Sequence, residues 1–144
     1  MVQVDYELHT LGWKAFQHLS ASILGEIWGQ TIQTFSDVHD GGRDGAFHGT
    51  WKLRSKELLQ GSFTVQCKFI AKPGALFVAS DLREELPKAQ RLAARGLADN
   101  YLLLTNASLT ATTEHKLREQ FLAIPGIRHF AGYGGEWIAK QIRE

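Results

Sequence analysis

The chain has 144 residues, of which 44% are hydrophobic and 22% are charged, so its length and composition fit one globular domain rather than a disordered or fibrous protein. Its formal net charge of +1 excludes a polycation that coats nucleic acid, although a local basic face stays open. No apolar stretch is long enough for a membrane span, the polar N-terminus shows no secretory signal, and the lone Cys67 excludes an internal disulfide, so we expect a cytoplasmic protein without a membrane partner.

The first half of the chain is predicted to form one amphipathic helix followed by three strands. Apolar residues recur at three- and four-residue steps from Leu11 onward, which predicts a helix over residues 9–28. Strand-like segments bounded by turn residues follow. They are a strand over residues 31–35, a turn-rich loop, a strand over residues 44–48, a polar connection over residues 52–62 and a strand over residues 63–70.

The strand over residues 63–70 has two different faces. Its odd-numbered residues are apolar and alternate with the polar Thr64, Gln66 and Lys68, so the two kinds of side chain point to opposite sides of the sheet. The apolar face belongs to the core and carries Cys67, which we therefore expect to be chemically inert. The polar face carries Gln66 and Lys68. A lysine in the middle of such a strand is unusual unless the protein uses it, so this face is the first candidate site.

The second half of the chain alternates helices and strands. Residues 80–95 are predicted to form a helix that Ser80 caps and Gly96 ends. The continuous apolar run over residues 101–105 predicts a strand buried on both faces. A helix over residues 110–122 with Leu117 and Phe121 inward, a strand over residues 127–130, a glycine-rich turn and a last helix complete the chain. The order α-β-β-β-α-β-α-β-α predicts an α/β fold with a central mixed sheet flanked by helices.

Several other patterns favour ordinary structural roles. The six histidines have no ligand-like spacing, which makes a structural zinc site improbable. The segment GYGGEW lacks the lysine of a phosphate-binding loop and is interpreted as a turn. A basic stripe formed by Lys88, Arg91 and Arg95 is a solvated helix face by default, and it becomes a candidate DNA-backbone contact only if a nuclease site lies nearby.

Asp44, Gln66 and Lys68 form the strongest candidate site. One interpretation is that Asp44 caps a turn and that the two strand residues face solvent. Against it, Asp44 begins a strand after a glycine pair, and the strand that carries Gln66 and Lys68 is its predicted antiparallel neighbour. A carboxylate and an amide oxygen suit Mg²⁺, which polarises a phosphate and lowers the pKa of a bound water. An ammonium group beside them orients the water and offsets developing negative charge.

The motifs around these residues extend over nearly the whole chain. They are FQHLSASIL (16–24), DGGRDG (40–45), VQCKF (65–69), LLLTNASLTATTEHKL (102–117) and GYGGEWIAKQI (132–142). In this order they resemble the PD-(D/E)XK nuclease superfamily, specifically its Mrr-like restriction-endonuclease branch. The resemblance implies a restriction-endonuclease-like fold and a single nuclease domain over residues 1–144, which we expect to be the N-terminal effector domain of a longer chain.

The resemblance also implies a role for each residue of the site. Asp44 would be the first metal-binding acid, Gln66 would replace the second acid, and Lys68 would be the catalytic lysine. The backbone carbonyl of Cys67 would complete a Mg²⁺ site in which Mn²⁺ can substitute. The chain departs from the pattern at Gln17, where relatives often carry a glutamate. This departure leaves the number of metal ions open, with Asp37 and Asp40 as candidate substitute ligands.

The expected function is that of a Mg²⁺-dependent DNA endonuclease that acts in defence against foreign DNA, including antiviral defence. Its expected partners are double-stranded DNA, further copies of itself in a homodimer or larger oligomer, and a sensor or NTPase domain that is fused to it or activates it. Two alternatives stay open. The chain could be a nuclease-fold module that binds DNA after losing cleavage, or a structural domain whose polar strand face is only solvated.

Overall fold

The computed structural model describes residues 7–28, 33–34, 45–52 and 58–143, and its helices and strands follow the predicted order. The helices are α1 (Trp13–Trp28), α2 (Glu85–Ala94), α3 (Ala111–Leu122) and α4 (Gly135–Arg143). The strands are β1 (Gln33–Thr34), β2 (Gly45–Lys52), β3 (Leu58–Lys68), β4 (Asn100–Thr105) and β5 (His129–Tyr133). Two short 3₁₀ turns, Leu8–Thr10 and Ala79–Leu82, precede α1 and α2.

The strands form one sheet in the order β1-β2-β3-β4-β5. β1, β2 and β3 pair antiparallel, whereas β3, β4 and β5 pair parallel, with α2 and α3 as the connections between the parallel strands. The predicted α/β class is therefore confirmed. Because parallel strands run in the same direction, the carboxyl ends of β3, β4 and β5 share one edge of the sheet.

Helices cover both faces of this sheet. On one face, α1 and α4 pack against β3 and β4 through residues such as Phe16, Ile138 and Val65. On the other face, α2 and α3 pack against β4 and β5 through a larger cluster that includes Tyr101 and Phe121, whose ring centroids are 4.6 Å apart. All six residues of β4 are buried, as its apolar run predicts. Leu117 and Phe121 of α3 are also inward, as predicted.

β3 is longer than the sequence indicates. The predicted polar connection over residues 52–62 is wrong for its second part, because Leu58 already pairs with Lys52 and the antiparallel register continues to the pair Gly45–Val65. Eight residue pairs join the two strands. This pairing outweighs the weak local strand preference of the polar residues, since strand propensity depends strongly on context.

The start of α2 also differs from the prediction. Ser80 does not cap a long helix, because residues 79–82 form a separate 3₁₀ turn in which the Asp81 carboxylate accepts a hydrogen bond from Val78 N at 2.9 Å. A helix that ran from Ser80 through Pro87 would place the proline ring against the carbonyl four residues earlier. α2 therefore begins at Glu85, with Pro87 in its first turn, where no N–H is needed.

A glycine marks the end of α2 and the start of α1. α2 ends as predicted at Gly96, where Gly96 N donates to Ala93 O at 3.0 Å and Leu97 N donates to Leu92 O at 3.0 Å. Gly96 has φ of 71°, which a glycine adopts without strain. At the other end of the chain, α1 begins after Gly12 rather than at residue 9, and the predicted inward Leu11 is 40% exposed.

Candidate functional site

Gln66 and Lys68 lie at the carboxyl end of β3, on the sheet face that α2 and α3 cover. The parallel register pairs Gln66 with Leu103, which belongs to the core on that face, and Lys68 with Thr105. In the structural alternative both residues face solvent. This is wrong for Gln66, which is only 6% exposed, whereas the Lys68 side chain is 28% exposed. The two residues are therefore placed between the sheet and α2.

Thr64, the third polar residue on this face, has a structural role. Its side chain is fully buried, and Oγ1 donates a hydrogen bond to Leu97 O at 2.7 Å. This bond ties the middle of β3 to the segment that leads from α2 into β4. Because its polar group is satisfied by the backbone, Thr64 contributes to the fold rather than to chemistry.

Lys68 is held by a buried acid that the sequence reasoning missed. Its Nζ lies 2.8 Å from Oε1 of Glu85, the first residue of α2, and Glu85 is only 3% exposed. Lys88, one turn further along α2, places its Nζ 3.7 Å from the same oxygen. One carboxylate oxygen therefore faces two ammonium groups, of which Lys68 is the nearer.

The position of Glu85 explains how a buried carboxylate is tolerated. The first turn of a helix carries a partial positive charge that stabilises an acid, and the two lysines add to it. The other oxygen, Oε2, is buried and has no hydrogen-bond partner among the described residues. The sequence does indicate a helix that starts near Glu85, because a proline such as Pro87 is typical of a first helical turn.

Gln66 and Cys67, two of the predicted metal ligands, are linked to each other. Gln66 Nε2 lies 3.5 Å from the carbonyl oxygen of Cys67, to which it donates. The Cys67 side chain points to the opposite face of the sheet and packs against the core under α1, as predicted. The inertness of its thiol stays a prediction.

Asp44, the predicted first metal ligand, lies outside the described residues, as do Asp37 and Asp40. Gly45, which follows Asp44 in the chain, pairs with Val65, which precedes Gln66. Gln17 is 5% exposed and lies on α1, in the helix layer on the other side of the sheet from α2. The structure thus brings Gln66, Lys68 and Glu85 together and places Gln17 on a different layer.

The donors at the end of β3 suit a hard cation in their chemistry. Among the described residues no group of three or more histidine, cysteine, aspartate or glutamate side chains could hold a metal ion. The donors present are instead a carboxylate from Glu85, an amide from Gln66 and the carbonyl of Cys67, which are the oxygen ligands that Mg²⁺ takes. The buried Oε2 of Glu85 has no hydrogen-bond partner in the described part of the chain, and Oε1 of the same carboxylate faces the ammonium groups of Lys68 and Lys88.

The carboxyl end of β5 carries a separate feature. A shallow depression of about 350 Å³ lies there, between the first turns of α3 and α4, and includes Tyr133, Trp137 and Glu114 in its wall. The rings of Tyr133 and Trp137 stack with centroids 4.2 Å apart. Burial, and then the negative charge of Glu114, raise the pKa of Tyr133 to about 12, while Arg118 acts in the opposite direction. The predicted site residues that the structure describes, Gln66, Cys67 and Lys68, do not line this depression.

The glycines of the segment GYGGEW act in packing. Only Gly134 lies between β5 and α4, whereas Gly132 belongs to β5 and Gly135 begins α4, so the turn is shorter than the predicted one. A Cβ on Gly134 would lie 2.8 Å from Cβ of Leu109, so only glycine allows this approach. Gly135 N already donates to Ala107 O at 2.9 Å and is therefore not directed at a phosphate.

The basic stripe of α2 divides into two parts. Lys88 is half-buried and contacts Glu85, whereas Arg91 and Arg95 are exposed. The stripe begins beside the carboxylate that holds Lys68 and continues along the outer surface of the same helix. A DNA-backbone role for this stripe stays a prediction.

Comparisons with protein-family models, with curated proteins and with solved structures found no match to the chain. No helix among the described residues has the length and apolar character needed to cross a membrane.

Proposed function

We propose that the chain is a Mg²⁺-dependent DNA endonuclease domain with a restriction-endonuclease-like fold of the Mrr-like type. The observation that carries the proposal is the placement of Lys68. Its ammonium lies 2.8 Å from the buried carboxylate of Glu85 and on the same strand face as Gln66, at the carboxyl end of β3. An ammonium, an amide and a carboxylate at one strand end are the groups that metal-assisted phosphodiester hydrolysis requires.

The antiparallel register supports the assignment of Asp44 to the same site. Gly45 and Val65 form the pair at the end of the described β2–β3 ladder. The residues next to this pair in the chain are Asp44 on one side and Gln66 on the other. Residues directly opposite each other in an antiparallel pair have Cβ atoms about 4.5–5.5 Å apart, so one further pair in this register would bring Asp44 and Gln66 close enough to share an ion.

Each residue has a distinct part in the proposed reaction. A bound Mg²⁺ would polarise the scissile phosphate and favour the hydroxide form of a water. Asp44, Gln66 and the carbonyl of Cys67 would hold the ion. Lys68 would orient the attacking water and offset the negative charge that develops on the phosphate oxygens. Its distance to Glu85 fixes where the ammonium sits before the substrate arrives.

The DNA would lie along α2, where Arg91 and Arg95 are exposed and can contact phosphates. One site hydrolyses one phosphodiester, whereas a duplex has two strands of opposite polarity. Two copies related by a two-fold axis would present one site to each strand. The proposal therefore includes a homodimer or larger assembly, and a role as an effector against foreign DNA that a sensor or NTPase domain activates.

A DNA-binding module without cleavage is the second candidate. It is favoured by the same ion pair, because an ammonium that Glu85 holds at 2.8 Å is already engaged. In that function Lys68 would have only a structural role, and Arg91 and Arg95 would provide the binding.

The test is conversion of supercoiled plasmid to nicked or linear DNA with Mg²⁺, with EDTA as the control. We expect metal-dependent cleavage, reduced at least about 100-fold in both variants, because Lys68→Met removes the ammonium that offsets developing charge and Asp44→Asn removes the acid that holds the ion. Plasmid that stays supercoiled with wild-type protein but is retarded in a gel would establish the binding module instead. Wild-type rates in both variants would remove these residues from the active site.

A further inference from the structure

The depression at the carboxyl end of β5 lies where the chain leaves two neighbouring strands toward opposite faces of the sheet. β4 and β5 are adjacent and parallel, so their carboxyl ends share one edge. The chain leaves β4 for α3, whose Leu117 and Phe121 belong to one core cluster, and leaves β5 for α4, whose Ile138 belongs to the cluster on the other face. Such a divergence opens a crevice between the two connections, and open α/β sheets bind their ligands in crevices of this kind.

The wall of this depression combines an aromatic pair with acids. Its volume of about 350 Å³ is enough for a small organic group. Tyr133 at the end of β5 and Trp137 in the first turn of α4 stack with centroids 4.2 Å apart, and both are partly exposed. The charged residues in the described lining are Glu114 and Glu136, both acids. Aromatic faces attract cations and carboxylates accept their hydrogen bonds, so this wall suits a positively charged group.

Several N–H groups at the two helix N-termini are already used within the chain. In α3, Thr110 Oγ1 accepts a hydrogen bond from Thr113 N at 3.2 Å, and Thr110 O accepts one from Glu114 N at 2.9 Å. In α4, Gly135 N donates to Ala107 O at 2.9 Å. Each helix also has an acid in its first turn, which offsets the partial positive charge that attracts anions. An anion in the depression would therefore meet two carboxylates.

The two acids differ in what they can offer a ligand. Glu114 accepts a hydrogen bond from Arg118 at 2.7 Å, but it raises the pKa of Tyr133 more than Arg118 lowers it, so the potential that the pair creates at the phenol is negative. Glu136 is exposed, and its Oε1 accepts a hydrogen bond from Ser108 at 2.7 Å. A carboxylate has about four lone-pair sites, so Glu136 can accept further hydrogen bonds while Ser108 fixes its position.

We propose that this depression binds a guanidinium group, which stacks on the ring of Trp137 and donates hydrogen bonds to Glu136. A guanidinium is planar and weakly hydrated and carries its donors in one plane, so it uses an aromatic face and a carboxylate at the same time. The group belongs to a free small molecule or to an arginine side chain of a partner, and the two sources share this chemistry. The inference does not rest on the proposed nuclease reaction, which uses other residues.

The test follows the indole N–H signal of Trp137 in heteronuclear NMR spectra of the full chain while ethylguanidinium is added. Trp137→Phe identifies the signal. Ethylurea is the neutral control, because it has nearly the same planar shape without the charge. We expect a saturable shift with ethylguanidinium and none with ethylurea. Equal responses to the two compounds, or no response to either, would overturn the inference. A response to inorganic phosphate instead would identify an anion site and would overturn it as well.

Variants of the wall locate the binding. Glu136→Gln removes the charge and keeps an oxygen for Ser108, and it should raise the dissociation constant for ethylguanidinium about 3- to 10-fold. Glu119→Gln is the matched control, because Glu119 is an exposed acid of α3 that does not line the depression. Wild-type affinity in Glu136→Gln, or an equal loss in both variants, contradicts the site.

A second pair of variants tests the stacking. Trp137→Leu, followed at the backbone amide of Gly134, should weaken ethylguanidinium binding by a similar factor. Trp13→Leu is its control, because Trp13 is 49% exposed at the start of α1 and should bind like the wild type. Unchanged affinity in Trp137→Leu would remove the indole from the site and overturn the proposed stacking.

A capped Gly-Arg-Gly peptide and its citrulline counterpart separate the two sources of the guanidinium. Tighter binding of the arginine peptide than of ethylguanidinium assigns the depression to an arginine of a partner, and weaker binding assigns it to a free small molecule. Both results support guanidinium recognition. Equal binding of the arginine and citrulline peptides contradicts it, because citrulline replaces the guanidinium by a neutral urea of the same shape.

Discussion

The two β–α units on one side of the sheet, β3–α2 and β4–α3, use a first-turn glutamate in different ways. In α3, Glu114 pairs with Arg118 on the same helix at 2.7 Å, and the two side chains are 20% and 48% exposed. In α2, Glu85 pairs with Lys68 from the preceding strand at 2.8 Å, and its side chain is 4% exposed. The first pair belongs to one helix, whereas the second joins a helix to the sheet.

The polar groups around the two units differ in the same way. Beyond the end of β4, Asn106 accepts a hydrogen bond from Ile70 N at 2.7 Å and donates one to Ile70 O at 2.6 Å. Ser108 donates to Glu136 at 2.7 Å. These side chains are used to hold backbone segments and helices in place. At the start of α2, one oxygen of the buried Glu85 carboxylate has no hydrogen-bond partner among the described residues.

The largest effect that this comparison predicts concerns the free energy of unfolding. Lys68→Met should lower it by about 2 kcal/mol, because the change removes the nearer partner of a buried carboxylate. We expect less than for a fully buried pair, since Lys68 is 28% exposed and Lys88 remains. Arg118→Met, the matched change in the other unit, should cost at most about 0.5 kcal/mol, as is usual for an exposed pair within one helix.

Urea denaturation of both variants measures this difference at matched ionic strength. High salt should weaken the Glu114–Arg118 contribution and leave most of the Glu85–Lys68 contribution, because screening acts mainly on exposed charges. Equal losses in the two variants would show that Glu85 is as well solvated as Glu114 and would end the distinction between the units.

The order of elements could be predicted from the sequence because it depends on local periodicity. The run over residues 101–105 and the inward pair Leu117 and Phe121 are set by their own sequence neighbourhoods, and all are buried as expected. The amino end of β3 could not be predicted in the same way. Its residues 58–62 are strand because β2 pairs with them, and pairing partners are not visible in a local pattern.

The residues of the candidate site also differ in whether a local sequence pattern reveals them. Gln66 and Lys68 could be selected because a polar face within a strand is a local signal. Glu85 could not, since it lies seventeen positions after Lys68 and becomes its partner only when α2 packs on the sheet. Pro87 could have corrected the helix start, and a corrected start would have placed an acid in the first turn. Asp44 lies outside the described residues, so its role stays a prediction.

A second test compares the outer surfaces of α2 and α3 as DNA contacts. Replacing Arg91 of α2 and Arg95, which directly follows α2, by glutamine should reduce the salt dependence of duplex binding, with the slope of log affinity against log salt falling by about two. Replacing Lys116 and Arg118 of α3 by glutamine changes the net charge equally and should leave the slope unchanged. Binding is measured in EDTA so that no cleavage occurs.

Equal changes of slope in the two double variants would mean that DNA responds to the overall charge of the chain, and α2 would lose its assignment as the DNA-contacting helix. A loss of affinity at every salt concentration with an unchanged slope would assign the arginines a structural role instead. A fall in slope confined to the α2 variant supports a DNA path beside Lys68.

The smallest predicted effect is on the pKa of Tyr133, and it tests whether Glu114 acts on a residue outside α3. Burial raises the pKa of Tyr133 to about 12, with Glu114 as the second cause. A raised pKa in the folded state means that the neutral phenol stabilises the protein fully below pH of about 10, and that this stabilisation is lost as the pH rises from about 10 through about 12.

Glu114→Gln should lower the Tyr133 midpoint only slightly, because burial is the larger cause. Tyrosinate absorbance, with Tyr133→Phe as the reference, measures the midpoint. A Tyr133 titration midpoint near the ordinary tyrosine value of 10.0 in the wild type would show that water reaches the phenol ring. A large fall of this midpoint in Glu114→Gln would show that the charge of Glu114, rather than burial, is the main cause of the raised pKa.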